Sequence, residues 1–110
     1  MMDAPFAYAG PPELLAVTMK ALQGVVDPEV ALDIVNVGLV YGVTVEAGRM
    51  DVHLTMTSAA CPVADVIVSD VEDALDAALP PELKIHVELV WEPPWSPQRM
   101  SPRARAFMGW

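Results

Sequence analysis

Two short runs of alternating residues limit the fold more than any other feature of this chain. From Leu39 to Glu46 the apolar positions are Leu39, Tyr41, Val43 and Val45, and from Arg49 to Thr57 they are Met50, Val52, Leu54 and Met56. Period-two alternation is the pattern of a strand with one face in a core. A two-residue loop of Ala47-Gly48 pairs Val45 with Met50, Val43 with Val52, and Tyr41 with Leu54, so each pair sets apolar against apolar. A one-residue slip would set the apolar row against Asp51 and His53, and the pattern therefore predicts the register as well as the hairpin.

The flanks supply the rest of the fold. Pro11-Pro12 starts a helix whose apolar positions Leu14, Val17, Ala21, Leu22 and Val25 follow three-and-four spacing, and Gly24 ends it. Pro62 suits the first turn of a second helix, with a stripe of Val63, Ile67, Val71, Leu75 and Leu79 and with Asp65, Asp70, Asp73 and Asp76 largely off it. Pro80-Pro81 stops that helix. Leu83, Ile85, Val87, Leu89 and Trp91 then alternate as a third strand. Pro, Asn and Gly interrupt any period between Val26 and Gly38, which reads as a structured loop. The Pro-rich run from Glu92 to Pro97 cannot stay in a ladder, and Ser101 to Met108 has the makings of a short helix. Residues 1–12 read as a flexible N-terminal arm, ahead of a single domain over residues 13–110. The expected class is α+β: a two-layer α-β-β-α-β arrangement, a three-stranded sheet with two helices on one face and a short C-terminal helix.

Composition narrows the function. At 110 residues one core is the limit. A single cysteine excludes an internal disulfide, and any multi-thiolate site needs a partner chain. Six basic residues against fifteen acidic ones leave a net charge of −9. Between Asp27 and Glu92 the only basic residues are Arg49 and Lys84, so that stretch repels phosphate backbones and anionic membranes, and neither nucleic acid nor membrane is an expected partner. The first residues lack a basic, apolar leader pattern and no segment is long and apolar enough to span a bilayer, so the cytoplasm is the expected location.

Chemistry has few places to sit. Cys61 falls at the N-terminal end of the second helix, where free amides and the helix dipole favour a thiolate while nearby carboxylates oppose it. It reads equally as a small inert turn residue. Thr55 and Thr57 are expected on the polar face of the second strand, bringing hydroxyls with Ser58 toward Cys61, although β-branched Thr suits strands for packing reasons alone. Asp27-Pro28-Glu29 holds two carboxylates in a turn after the first helix, a set that could ligate iron or zinc or accept a partner's Arg, and equally an ordinary turn starter. His53 and His86 read as solvated surface residues. No hydrolytic triad or phosphate-binding loop is present, and the chain is not expected to be an enzyme. Trp91 is expected to cover the core. Trp95 and Trp110, with Arg99, Arg103 and Arg105, are the expected partner-binding residues.

Taken in order, Asp27-Pro28-Glu29, the run from Asp33 to Tyr41, the run from Thr55 to Pro62, and Trp91-Glu92-Pro93-Pro94-Trp95 resemble one family: the iron-sulfur assembly family of SufT-like and PaaD-like proteins, also known as domain of unknown function fifty-nine. The resemblance runs from about Leu14 to Met108 and its fold is α-β-β-α-β in two layers. It implies an accessory or targeting factor in iron-sulfur protein maturation, with scaffold or carrier proteins and client apoproteins as partners, and with a transient iron ion or cluster as cargo. It points to Cys61 as the functional residue and to Asp27 as an associated acid. Glu29 joins them as a candidate ligand from its place in the same turn. Ala60 stands where many members have Gly. The C-terminus lacks the extra cysteines of longer PaaD-type members, which weighs against a phenylacetate-oxygenase role. Two alternatives stand beside this reading: a pure adapter with a structural Cys61, and a small subunit of a multicomponent oxygenase. A homodimer is left open.

Overall fold

The computed structural model describes residues 6–27, 31–57 and 64–109. In chain order the elements are strand β1 (Ala7–Ala9), helix α1 (Pro12–Gln23), the short strands β2 (Val26–Asp27) and β3 (Leu32–Asp33), helix α2 (Ile34–Val37), strands β4 (Val40–Glu46) and β5 (Arg49–Leu54), helix α3 (Ala64–Ala78), strand β6 (Lys84–Leu89), a 3-10 turn (Pro97–Arg99) and helix α4 (Pro102–Met108).

The main sheet has four strands in the order β1-β4-β5-β6, not the three expected. The added strand is β1, which pairs parallel to β4 with Ala7 opposite Gly42 and Ala9 opposite Thr44. Its three residues carry no readable period, and it is held from both ends. Phe6 is buried in the core, and the Tyr8 hydroxyl donates to the Pro11 carbonyl at 2.5 Å. Burial, and after it the charge of Glu13, raises the Tyr8 pKa above its ordinary value, which keeps that hydroxyl a donor.

The β4–β5 hairpin has the expected register at its closed end, where Val45 faces Met50 and Val43 faces Val52. Ala47 (φ 51°) and Gly48 (φ 77°) both take left-handed conformations, as a two-residue turn of the I′ type requires. At the open end the register shifts, and Leu54 pairs with Val40 instead of Tyr41. The irregularity keeps Val40 in the core and releases the Tyr41 ring, whose hydroxyl donates to the Pro93 carbonyl at 2.7 Å. β6 lies parallel to β5 across the α3 crossover, with Val52 opposite Val87 and Leu54 opposite Leu89.

One core holds the layers together. Met50, Val52 and Leu54 from β5 meet Ile67, Val71 and Leu75 from α3 and Leu22 from α1, all with essentially no exposure. α1 packs on α3, and α3 packs on β6. The α1 stripe is rotated from the expected one, because Thr18 and Met19 face inward while Val17 is exposed. Trp91, expected over the core, is exposed, since the β6 ladder ends at Leu89 and the chain leaves the sheet.

Candidate functional site

The segment from Val25 to Leu39 is built residue by residue around its polar side chains. β2 and β3 form a small antiparallel pair with Asp27 opposite Leu32 and Val26 opposite Asp33. Ala31, at φ 60°, donates its N–H to the Asp27 carbonyl at 2.8 Å. Asp33 then caps α2: one carboxylate oxygen accepts the Asn36 N–H at 3.0 Å and the other accepts the Asn36 side-chain amide at 2.6 Å. Gly38, at φ 85°, ends α2 in the left-handed conformation and donates to the Ile34 and Val35 carbonyls. The sequence region read as a structured loop therefore holds a short antiparallel strand pair followed by one capped helical turn.

Two backbone hydrogen bonds knit this segment together and a third ties it to the end of the sheet. The Ile34 N–H donates to Val25 at 2.9 Å, the Leu39 N–H to Ile34 at 3.0 Å, and the Thr55 N–H to Leu39 at 2.8 Å. This relay links the β2–β3 pair, α2 and Thr55, the first residue of the run from Thr55 to Pro62. Asp27 itself is buried, at 1% exposure.

Thr55 departs from its expected place. β5 ends at Leu54, and the Thr55 amide turns to Leu39, so the alternation does not continue and the side chain is buried at 1% exposure, not on the polar face. Its hydroxyl has no hydrogen-bond partner among the described residues. Thr57 is half-buried. Glu29, Ser58, Cys61 and Trp110 lie outside the described residues.

The C-terminal residues behave as a strap over α2. The Trp95 indole donates to the Val37 carbonyl at 2.9 Å, and its ring packs on the core. The Arg99 guanidinium lies 4.4 Å above the Tyr41 ring. The Ser101 N–H donates to the Asn36 carbonyl at 2.8 Å, and its hydroxyl donates to the Asn36 side-chain oxygen at 2.7 Å and caps α4 by accepting from Ala104 at 3.1 Å. Trp95, half-buried, and Arg99, exposed, thus make contacts within the chain, and Arg103 and Arg105 on α4 are exposed as well. Asn36 and Ser101 are organising residues that sequence reasoning missed. The signals were there: Asp33 three residues before Asn36, and Ser101-Pro102 as cap and first helical residue.

His53 lines a cavity of about 420 Å³ on the sheet face away from the helices, with Tyr41, Thr44 and Glu92, and His86 is exposed. Among the described residues no three His, Cys, Asp or Glu side chains gather as a metal site, and no helix is long and apolar enough to cross a membrane.

A fold of this shape matches a known class. The family model described as iron-sulfur cluster assembly protein matches residues 16–89, and the chain belongs to that family, on its SufT-like side. It is 47% identical over 92 residues to the Fe-S protein maturation auxiliary factor YitW of Bacillus subtilis, covering 83% of this chain and 89% of that protein. It is 42% identical over 86 residues to the Fe-S protein maturation auxiliary factor SufT of Staphylococcus aureus, covering 77% of this chain and 97% of that one. A crystal structure of a domain of unknown function from Bacillus anthracis superposes with a TM-score of 0.78 at 45% identity, covering 86% of this chain and 92% of the other.

Proposed function

We propose that this chain is a non-catalytic accessory factor in iron-sulfur protein maturation, and that the Cys61 thiolate binds iron or a cluster as cargo and hands it on. The observation that supports this reading is the backbone relay from Val25 through Ile34 and Leu39 to Thr55, which links the β2–β3 pair to the residue that opens the Thr55–Pro62 run, within a family fold. The relatives named as maturation auxiliary factors support the role.

The chemistry follows from ligand count. Iron and its clusters are held by several thiolates, and this chain owns one cysteine. The remaining ligands then come from a second subunit, a scaffold or carrier, or the client apoprotein. A cargo held by one thiolate, with Asp27 or Glu29 as weaker oxygen ligands, is retained loosely enough to leave for a site that offers a full set. Thr57 and Ser58 would support the thiolate by hydrogen bonding. The role places the protein in the cytoplasm, where thiols stay reduced.

The test is anaerobic reconstitution of the parent and Cys61→Ser side by side, reading iron and sulfide per chain and the activation of an apoprotein whose activity needs a cluster. Cys61→Ser is expected to keep its circular dichroism spectrum and to lose most of the bound iron and most of the activation. A Ser variant that matures the reporter as well as the parent would remove the thiol from the mechanism and favour the adapter reading. In that case capture falls to the exposed residues Arg99, Arg103 and Arg105, with Trp95 and Trp110.

A further inference from the structure

α4 presents a two-part face. Arg103 and Phe107 sit one helical step apart, so their side chains share a side. Phe107 is 67% exposed, the most exposed large hydrophobic side chain among the described residues. Arg103 makes no ion pair or hydrogen bond among them, the one salt bridge there being Arg49 with Asp51. Both residues edge a cavity of about 550 Å³ whose other wall includes Ala31 and Leu32, the residues that follow the Asp27 turn. An unpaired guanidinium beside an exposed ring asks for a carboxylate one helical step from an apolar side chain.

The chain itself carries that complement. α3 has Asp65, Asp70, Glu72, Asp73 and Asp76 and no basic residue. Val66 near its start is 52% exposed, and Asp70, exposed and without an ion pair among the described residues, follows one helical step later. Laid antiparallel on α4, α3 sets Val66 against Phe107 and Asp70 against Arg103 in one stroke. Within one chain the two helices have other neighbours, α4 packing on α2 and α3 on α1 and β6.

We propose that α4 of one copy docks on α3 of a second copy and the reverse, forming a two-fold pair joined by two Val66–Phe107 and Asp70–Arg103 contacts. Two chains of charge −9 repel at a distance. That repulsion is screened beyond roughly 8 Å at physiological salt, whereas the paired charges act at contact. The pair would set the start of α3 in one copy beside the Asp27 hairpin of the other. It rests on the proposed function only for what it implies about cargo: if Cys61 is the donor, each site draws on both copies.

The experiment is sedimentation velocity of the full chain over a range of protein concentrations, on the parent, Arg103→Glu, Asp70→Lys and an equimolar mixture of the two variants. In each variant alone both contacts become repulsive, and the dissociation constant is expected to rise at least about tenfold. In the mixture one contact joins the two exchanged charges, now of opposite sign, and the other keeps the native Arg103 with Asp70, so the pair is expected to return to near the parent's affinity. Phe107→Ala should weaken association without rescue by either charge variant. A parent that stays monomeric throughout, variants that associate as well as the parent, or a mixture that fails to recover would each overturn the proposal. Cys61→Ser should pair like the parent, so failure of the thiol reading and failure of the docking reading give different results.

Discussion

Gly38→Ala tests whether the C-terminal strap is part of the fold's stability. Gly38 has φ 85°, and a Cβ placed there would overlap the Arg99 carbonyl oxygen and sit 2.7 Å from its carbon. Both are backbone atoms, so no rotamer change relieves the contact. The left-handed conformation alone costs a non-glycine residue ~1 kcal/mol. If the Pro97–Arg99 turn is pushed away, the bonds from Trp95 to Val37, Tyr41 to Pro93 and Ser101 to Asn36 go with it, at about 1 kcal/mol each. The expected loss is therefore roughly 3–5 kcal/mol, a large share of the ~5–15 kcal/mol that a domain of this size possesses. Gly48→Ala is the control, because its φ of 77° carries the same conformational cost while the nearest atom, the Glu82 carbonyl oxygen, lies 4.0 Å away. Guanidinium unfolding followed by circular dichroism gives the two stabilities, and exchange of the Trp95 indole proton reports whether the strap has lifted. Equal losses for the two variants, with the indole as protected in Gly38→Ala as in the parent, would refute the steric argument.

Two further substitutions probe single positions. Ala47→Asn should stabilise the hairpin by about 0.5–1 kcal/mol, because Asn tolerates the left-handed conformation that Ala47 holds at φ 51°; an unchanged denaturation midpoint would mean that the turn carries no strain. Thr55→Val removes a buried hydroxyl that has no partner among the described residues and keeps the shape, so stability should hold or rise by roughly 1 kcal/mol in the same unfolding assay, and a clear loss would show that the hydroxyl is satisfied after all.

Local pattern reached some of these features and distance placed others out of reach. The closed end of the β4–β5 hairpin was legible because each apolar residue there answers one across a two-residue turn. Its open end was not, since the shift at Tyr41 is stabilised by Pro93 and Arg99, more than fifty residues away. β1 was invisible because it is held by backbone pairing and by Phe6, not by an alternating pattern of its own. α2 is four residues long, too short for a helical period, although its cap residues Asp33 and Gly38 were in plain view. The packing of the two tryptophans has one reason. The sheet ends before Trp91, and the chain then crosses back over α2, so Trp95 is the one that meets the core. For the site, Asp27 and the run from Thr55 could be picked out as motifs, but the path that links their described residues ends on the bond from Thr55 to Leu39, sixteen residues back, which no spacing encodes.

The geometry also separates two kinds of motif residue that a purely functional assay would confuse. Asp33, Asn36 and Gly38 belong to a stretch that looks like a signature, yet each serves the frame. Asp33 caps α2, Asn36 bridges to Ser101, and Gly38 admits the Arg99 backbone. Replacing any of them is expected to lower the amount of folded protein, because the relay to Thr55 passes through the same turn. The proposed cargo chemistry draws instead on the Asp27-Pro28-Glu29 corner and on the segment from Thr57 to Cys61. Chemistry in this fold is therefore to be sought where a substitution lowers cargo handling at unchanged stability. A residue whose functional loss scales with its unfolding free energy belongs to the frame.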